Sequence, residues 1–208
     1  PAAPQVATHN FRFSEDYDLY PSGAKTKYKN NVMAIKLLKQ IELEKRTATP
    51  EEQIILARYV GWGGLANAFS STASGWENEY QELKSLLTDV EYKAAMNSTI
   101  TAYYTEPDLI RHIYRALERF GFEGGPDRKI LDPGMGTGNF YSVLPEQFQG
   151  SKLFGVELDS ITGRIAKQLY PDADISIMGY EATKFEDNSF DVILGNIPFN
   201  SVKIYDRR

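Results

Sequence analysis

The 208-residue sequence has no cysteine and only two histidines. Disulfide frameworks, iron–sulfur clusters and cysteine zinc sites are therefore excluded, and little remains for histidine metal ligation or triad catalysis. No apolar run approaches the ~18 to 20 residues needed to cross a bilayer, so a membrane protein is not expected. The opening residues lack the charged-then-apolar pattern of a secretory signal, which makes a cytoplasmic location the expectation. Lysine and arginine number 23 against 28 acids, a net charge of −5. A generic basic nucleic-acid binder is thereby disfavoured, and any contact with phosphates has to be local. What is present, 42% hydrophobic and 12% aromatic residues, suits a globular fold of one large or two small domains.

The chain reads as two halves, with a helical region over residues 1–100 and an α/β region over 101–208. Up to about residue 20 the aromatics Phe11, Phe13, Tyr17 and Tyr20 follow no sustained period, as in an arm that docks by its rings or stays mobile. A lysine-rich helix follows, with Val32, Ile35, Leu38 and Ile41, or Leu37 and Leu43, on its apolar side. Its lysines fit a solvated face, with a phosphate-contacting patch as the alternative. Thr49, Pro50, Glu51 and Glu52 combine an N-cap, a first-turn proline and acids facing the helix dipole, predicting a helix that runs to Gly61. The cluster Gly61-Trp62-Gly63-Gly64 fits a tight turn around a packed indole better than a loop beside a site. Residues 76–87 form a further helix, and Thr88 with Glu91 makes a capping box for the next.

After residue 101 the pattern changes. An amphipathic helix over residues 106–120 presents Leu109, Ile110, Ile113, Leu117 and Phe120 and stops at Gly121. Short apolar runs at 129–131, 153–156, 175–177 and 190–194 then read as strands, with helices at 139–146 and 161–169 between the first three. Such alternation predicts parallel strands with crossover helices, and ligands in such sheets bind beyond the carboxyl ends of the strands.

The informative residues lie at those ends. The first strand leads into Asp132-Pro133-Gly134-Met135-Gly136-Thr137-Gly138-Asn139-Phe140, where glycines at alternate positions let the backbone turn and lie against a ligand. A dinucleotide fingerprint would need glycine at 139, and a phosphate loop would need Gly-Lys-Ser/Thr, so dehydrogenases and NTPases are demoted. Glu157, 25 positions after Asp132, can accept hydrogen bonds from both hydroxyls of a ribose. The fourth run ends in Gly195-Asn196-Ile197-Pro198-Phe199 and belongs at the point where the strand order switches.

These residues together resemble an S-adenosylmethionine-dependent amino-methyltransferase, in particular the DNA adenine-N6 family. Tyr104-Thr105-Glu106-Pro107 is similar to that family's further cofactor motif. The order of cofactor motif, glycine loop and Asn-x-Pro-Phe matches its gamma arrangement. The wider sequence resembles the N-terminal part of large methylase-helicase proteins of bacterial mobile elements and phages. The resemblance implies a Rossmann-like class I methyltransferase sheet, incomplete at its C-terminal side, preceded by a helical domain. It implies S-adenosylmethionine as cofactor and DNA as partner. Asp132, Pro133, Gly134, Gly136 and Gly138 would surround the methionine part, with Thr105 and Tyr104 near its carboxylate and Phe140 packed beside it. Glu157 and the neighbouring Leu158 would hold the ribose, and Glu181 is the nearest candidate for the cofactor's adenine amino group, one position off the common pattern.

By the same resemblance Asn196, Ile197, Pro198 and Phe199 would be catalytic. The Asn196 side-chain oxygen and the Ile197 carbonyl would accept hydrogen bonds from the target amino group. Phe199 would stack on a flipped base while Pro198 stiffens the turn. No cysteine is needed, whereas cytosine C5 methylation uses one. Ile197 departs from the more usual proline. The sequence also stops at Arg208, before the further strands and target-recognition region a complete enzyme of this type would have. The open sheet edge is expected to be covered by a C-terminal remainder or another chain. Two alternatives stay open: transfer to protein glutamine or RNA amino groups, and a non-catalytic interaction module.

Overall fold

A computed structural model describes residues 9–20, 22–100 and 105–197. The described residues divide into two compact units, one of residues 15–100 and one that joins residues 9–14 to residues 105–197. Phe11 and Phe13 thus group with the second unit and not with the helical region that follows them in sequence.

The first unit contains four α-helices, α1 (Ala24–Leu43), α2 (Pro50–Ala57), α3 (Glu77–Leu86) and α4 (Asp89–Ser98), and no strand among the described residues. The α1 stripe of Val32, Ile35, Leu38 and Ile41 is buried as its spacing predicts, while Leu43 is left exposed. The α1 lysines are largely engaged within the unit. Lys25 pairs with Glu79 and lies over the Trp76 ring, Lys36 pairs with Glu82, and Lys39 bonds Glu91 and the Leu86 carbonyl. Three of the five lysines therefore take part in helix packing.

Thr49 and Glu52 form a reciprocal capping box at α2, and Thr88 and Glu91 do the same at α4. α2 ends at Ala57, earlier than Gly61. The amides of Arg58 and Tyr59 take tighter bonds to Ile55 and Leu56, and the Val60 amide donates to Asn31 Oδ1 at 3.0 Å. The same asparagine donates to the Gly61 carbonyl, fixing the turn in which Gly61 and Gly64 adopt φ of 73° and 74°. Trp62 is buried there, edge-on to Tyr59 and Phe69, so the glycine–tryptophan cluster is a packing feature. Each such ring pair contributes about 0.5–1.5 kcal/mol beyond its buried area.

The second unit is an α/β fold. Strands β1 (Lys129–Asp132), β2 (Lys152–Glu157), β3 (Asp174–Ile177) and β4 (Val192–Ile193) form one wholly parallel sheet in the order β3-β2-β1-β4. The order reverses between β1 and β4, which creates a crevice at their carboxyl ends. The helices are α5 (Pro107–Arg119), α6 (Asn139–Ser142) and α7 (Ser160–Leu169). Two expectations are corrected here. α6 is a single turn and does not reach residue 146, because Pro145 cannot continue a helical ladder. β4 pairs over two residues only, with Phe190 packed edge-on to Phe154 and Phe185 ahead of the ladder. α5 also buries a narrower stripe than its pattern suggests. Ile110 and Tyr114 are fully buried, but Leu109 and Phe120 are 57% and 86% exposed.

Replacing Thr49 by Ala removes the acceptor for the Glu52 amide and should cost about 1 kcal/mol of the first unit's stability. Urea unfolding should show Thr49→Ser retaining most of it.

Candidate functional site

The crevice is built by tying the tip of β1 to the tip of β2. Beyond Asp132 the chain turns, and the Met135 amide donates to the Val156 carbonyl at 3.0 Å. The Gly136 amide donates to Glu157 Oε2 at 2.9 Å, while Glu157 Oε1 accepts from the Asp159 amide at 2.7 Å. One carboxylate thereby orders both the glycine loop and the turn into α7. Asp159 continues the sequence by capping α7, accepting from the Thr162 amide at 2.8 Å. Met135 is buried over β2, and its sulfur occupies the space a Cβ at Gly155 would need.

Glycine is required at particular points of the loop. Gly136 and Gly138 have φ of 56° and 86°, in the left-handed region, which costs other residues conformational energy. A Cβ at Gly138 would lie 2.3 Å from the Tyr170 ring. The Tyr170 hydroxyl donates to the Gly138 carbonyl at 2.7 Å, so that ring backs the end of the loop. Nothing lies within 4 Å of a Cβ position at Gly136, which leaves open space above the loop at that point.

Asp132 is 1% exposed and its Oδ1 accepts from the Gly134 amide at 3.1 Å. Burial pushes its carboxyl up to about 7, and the nearby Glu157 charge adds to the rise. Glu157 is likewise raised to about 7, chiefly by burial, against the lowering effect of the amides it binds. Beside them, a Cβ at Gly195 would fall 2.4 Å from Asp132 Oδ1. Glycine at 195 therefore allows the chain leaving β4 to pass over the buried acid.

The structure gathers Asp132, Gly134, Gly136, Gly138 and Glu157 into one crevice. Pro133 and Thr137 are half-buried along the loop, and Leu158 is 75% exposed immediately after Glu157. Asn196 and Ile197 follow β4 and are exposed. Glu181 sits in a 3-10 turn after β3, its carboxylate folded back over Gly179. Thr105 precedes α5 and is half-buried. Phe140 is buried below the loop, where its carbonyl accepts from the Tyr114 hydroxyl at 2.9 Å. Tyr104, Pro198 and Phe199 lie outside the described residues. Three contributors escaped the sequence reading: Gly155, Tyr170 and the close approach at Gly195. The first and last are glycines outside the loop motif, and a lone tyrosine at a helix end carries no pattern.

Residues 131–206 match the family model described as "Methyltransferase domain". That match lies within the second unit and takes in its strands from β1 to β4. S-adenosylmethionine is the cofactor that this likeness supports. Over 171 residues, 81% of the chain, the sequence is 27% identical to "Defense against restriction protein B" of Escherichia phage P1. Over 78 residues, 38% of the chain, it is 32% identical to "Modification methylase CviBIII" of Paramecium bursaria Chlorella virus NC1A. The chain spans 6% and 21% of the lengths of these two relatives. Among solved structures, a TehB-like SAM-dependent methyltransferase from Corynebacterium glutamicum aligns over 43% of this chain and 54% of its own, at 25% identity and a TM-score of 0.29. Coclaurine N-methyltransferase, bound to N-methylheliamine and SAH, aligns over 87% of this chain and 51% of its own, at 13% identity and a TM-score of 0.33. No helix among the described residues is long and apolar enough to cross a membrane.

The crevice of the second unit fits that cofactor. A carboxylate offers about four lone-pair positions. Glu157 accepts the Gly136 amide on one oxygen and the Asp159 amide on the other, which leaves acceptor capacity for a ribose hydroxyl. The open space over Gly136 and the absent side chain at Gly195 give the ligand room beside Asp132.

Two outcomes follow from the raised acids. Protons held by the folded chain but released by the unfolded one stabilise the fold at acidic pH, and that stability is lost as pH rises from the ordinary carboxylate range through about 7. Glu157→Gln should therefore gain melting temperature relative to the parent as pH rises across this window. Its affinity for S-adenosylmethionine should be lower and should rise less with pH than the parent's, since only Asp132 still titrates there. Thermal melts and calorimetric titrations between pH 5 and 8, about the unperturbed histidine range, check the first and the second. Separately, Gly195→Ala should cost about 1–3 kcal/mol through overpacking against Asp132, measurable by denaturant unfolding.

Proposed function

We propose that this chain is the catalytic region of a DNA adenine-N6 methyltransferase. The observation that carries the reading is the passage of Gly195 over Asp132, which brings Asn196 and Ile197 out of β4 beside the glycine loop. The likeness to a modification methylase over 78 residues supports it.

An exocyclic adenine nitrogen is a poor nucleophile, since its lone pair is delocalised into the ring. Acceptors aimed at its two N–H groups localise that pair and stabilise the positive charge that grows as the nitrogen attacks. The Asn196 side-chain oxygen and the Ile197 carbonyl supply two such acceptors at the crevice rim, where both residues are exposed and accessible to an incoming base. S-adenosylmethionine supplies an electrophilic methyl carbon on a sulfonium leaving group. Pro198 and Phe199 lie outside the described residues; in this reading their side chains have the chemistry to stiffen the motif and to stack on the flipped base. Glu157 and the loop orient the donor side, which removes much of the entropic cost of aligning nitrogen, carbon and sulfur.

DNA is the partner in this reading, and a strand from elsewhere in a larger protein or from another chain pairs with the outer edge of β4. Among the described residues β4 pairs with β1 alone, and Ile193 is 58% exposed.

Labelled S-adenosylmethionine offered separately with DNA, RNA and protein tests the assignment. Label should appear at adenine N6 of DNA. Asn196→Ala should slow transfer by about 100-fold or more while leaving cofactor affinity near the parent value. Label on RNA or on glutamine, or an unchanged rate in the variant, would refute it.

A further inference from the structure

We propose that residues 10–13 are a positioning strap for the cofactor loop, so that Phe11 sets affinity for S-adenosylmethionine from outside the crevice. The inference rests on the cofactor site described above.

The last carbonyls of a helix have no partner within it and have to find one elsewhere. Leu169 closes α7 and Ser142 closes α6, and the strap serves both. The Phe11 amide donates to the Leu169 carbonyl at 2.7 Å, and the Phe13 amide donates to the Ser142 carbonyl at 2.9 Å. Donors two residues apart in an extended segment face the same way, so one short stretch can bridge two helix ends. The grip is reinforced on both sides. Asn10 Oδ1 accepts from the Asp172 amide at 3.0 Å, and the Arg12 guanidinium donates to the Leu144 carbonyl. The Phe11 ring is 6% exposed.

The two elements held this way are the ones that hold Gly138. Tyr170 follows Leu169 directly; it is 1% exposed, packs edge-on to Tyr141 and donates to the Gly138 carbonyl. From the other side the amides of Tyr141 and Ser142 donate to that same carbonyl at 2.9 and 3.1 Å. Gly138 thus ends the loop in a left-handed conformation with three donors converging on its oxygen. α6 is one turn long, too short to hold its geometry by its own hydrogen bonds. Its position depends on tertiary anchors, and the strap is one of them.

The full chain is compared with Phe11→Ala, Phe11→Leu and Tyr170→Phe in two measurements. Amide hydrogen exchange without ligand should show Phe11→Ala losing protection at residues 136–142 and 169–172 while residues 152–157 and 174–177 keep theirs. Calorimetric titration with S-adenosylmethionine should show affinity falling about tenfold, the equivalent of roughly one lost hydrogen bond. Phe11→Leu should restore most of both. Tyr170→Phe keeps the ring and loses only the hydroxyl, so it should loosen the loop and weaken binding in a folded protein even if Phe11→Ala unfolds. The strap role is overturned if Phe11→Ala retains parental loop exchange and affinity, if protection is lost evenly across the sheet, or if Tyr170→Phe changes neither quantity. A parent chain that binds no S-adenosylmethionine would instead overturn the cofactor site, and the exchange comparison would still decide whether strap and loop are coupled.

Discussion

A single carboxylate holds the crevice together. Glu157 leaves β2 at its carboxyl end and accepts one amide from the glycine loop and one from the turn into α7. A neutral side chain would accept from those amides less strongly. The same burial that makes the bonds strong resists the negative charge that makes them, and the carboxyl is raised to about 7 as a result. Asp132, a strand away, is under the same pressure. A crevice with two such acids is poised toward donors and positive charge, since either relieves the cost of keeping the carboxylates ionised.

Much of the fold was legible because it rests on local chemistry. Thr88 with Glu91 satisfies helix donors whatever surrounds it, and the Val32, Ile35, Leu38 and Ile41 stripe needs only a partner surface. The parallel sheet could be inferred from alternation alone. The misread boundaries share a different cause, competition from outside the element. α2 stops at Ala57 because Asn31, in another helix, takes the Val60 amide and the Gly61 carbonyl. The apolar run after Asn139 is buried as its composition suggests, but Pro145 leaves most of it non-helical. Leu109 lies one residue, about 100° of helix rotation, from the buried Ile110, and so faces away from Phe140 and Phe148.

The site was legible to the extent that its motifs are contiguous. Asp132 through Gly138 and Glu157 could be placed because glycine spacing and a strand-end acid are visible in one dimension. Gly155, Tyr170 and Gly195 were not, since each matters through a single close approach to a residue distant in sequence. The interaction of the Phe11 and Phe13 amides with helix-end carbonyls is harder still to anticipate, because backbone carbonyls carry no residue identity.

The placement of residues 9–14 also changes what the helical region is. Among the described residues, 15–100 lie in the chain between two pieces of the second unit, residues 9–14 and 105–197. During synthesis the first piece of that unit emerges early, and its partners at Ser142 and Leu169 follow more than a hundred residues later. Folding of the intervening helices first would shorten the effective loop that must close, lowering the entropic barrier to joining the two pieces. A gene fragment begun at residue 101, which looks like a clean domain boundary in sequence, would omit the six described residues that complete the unit's own fold.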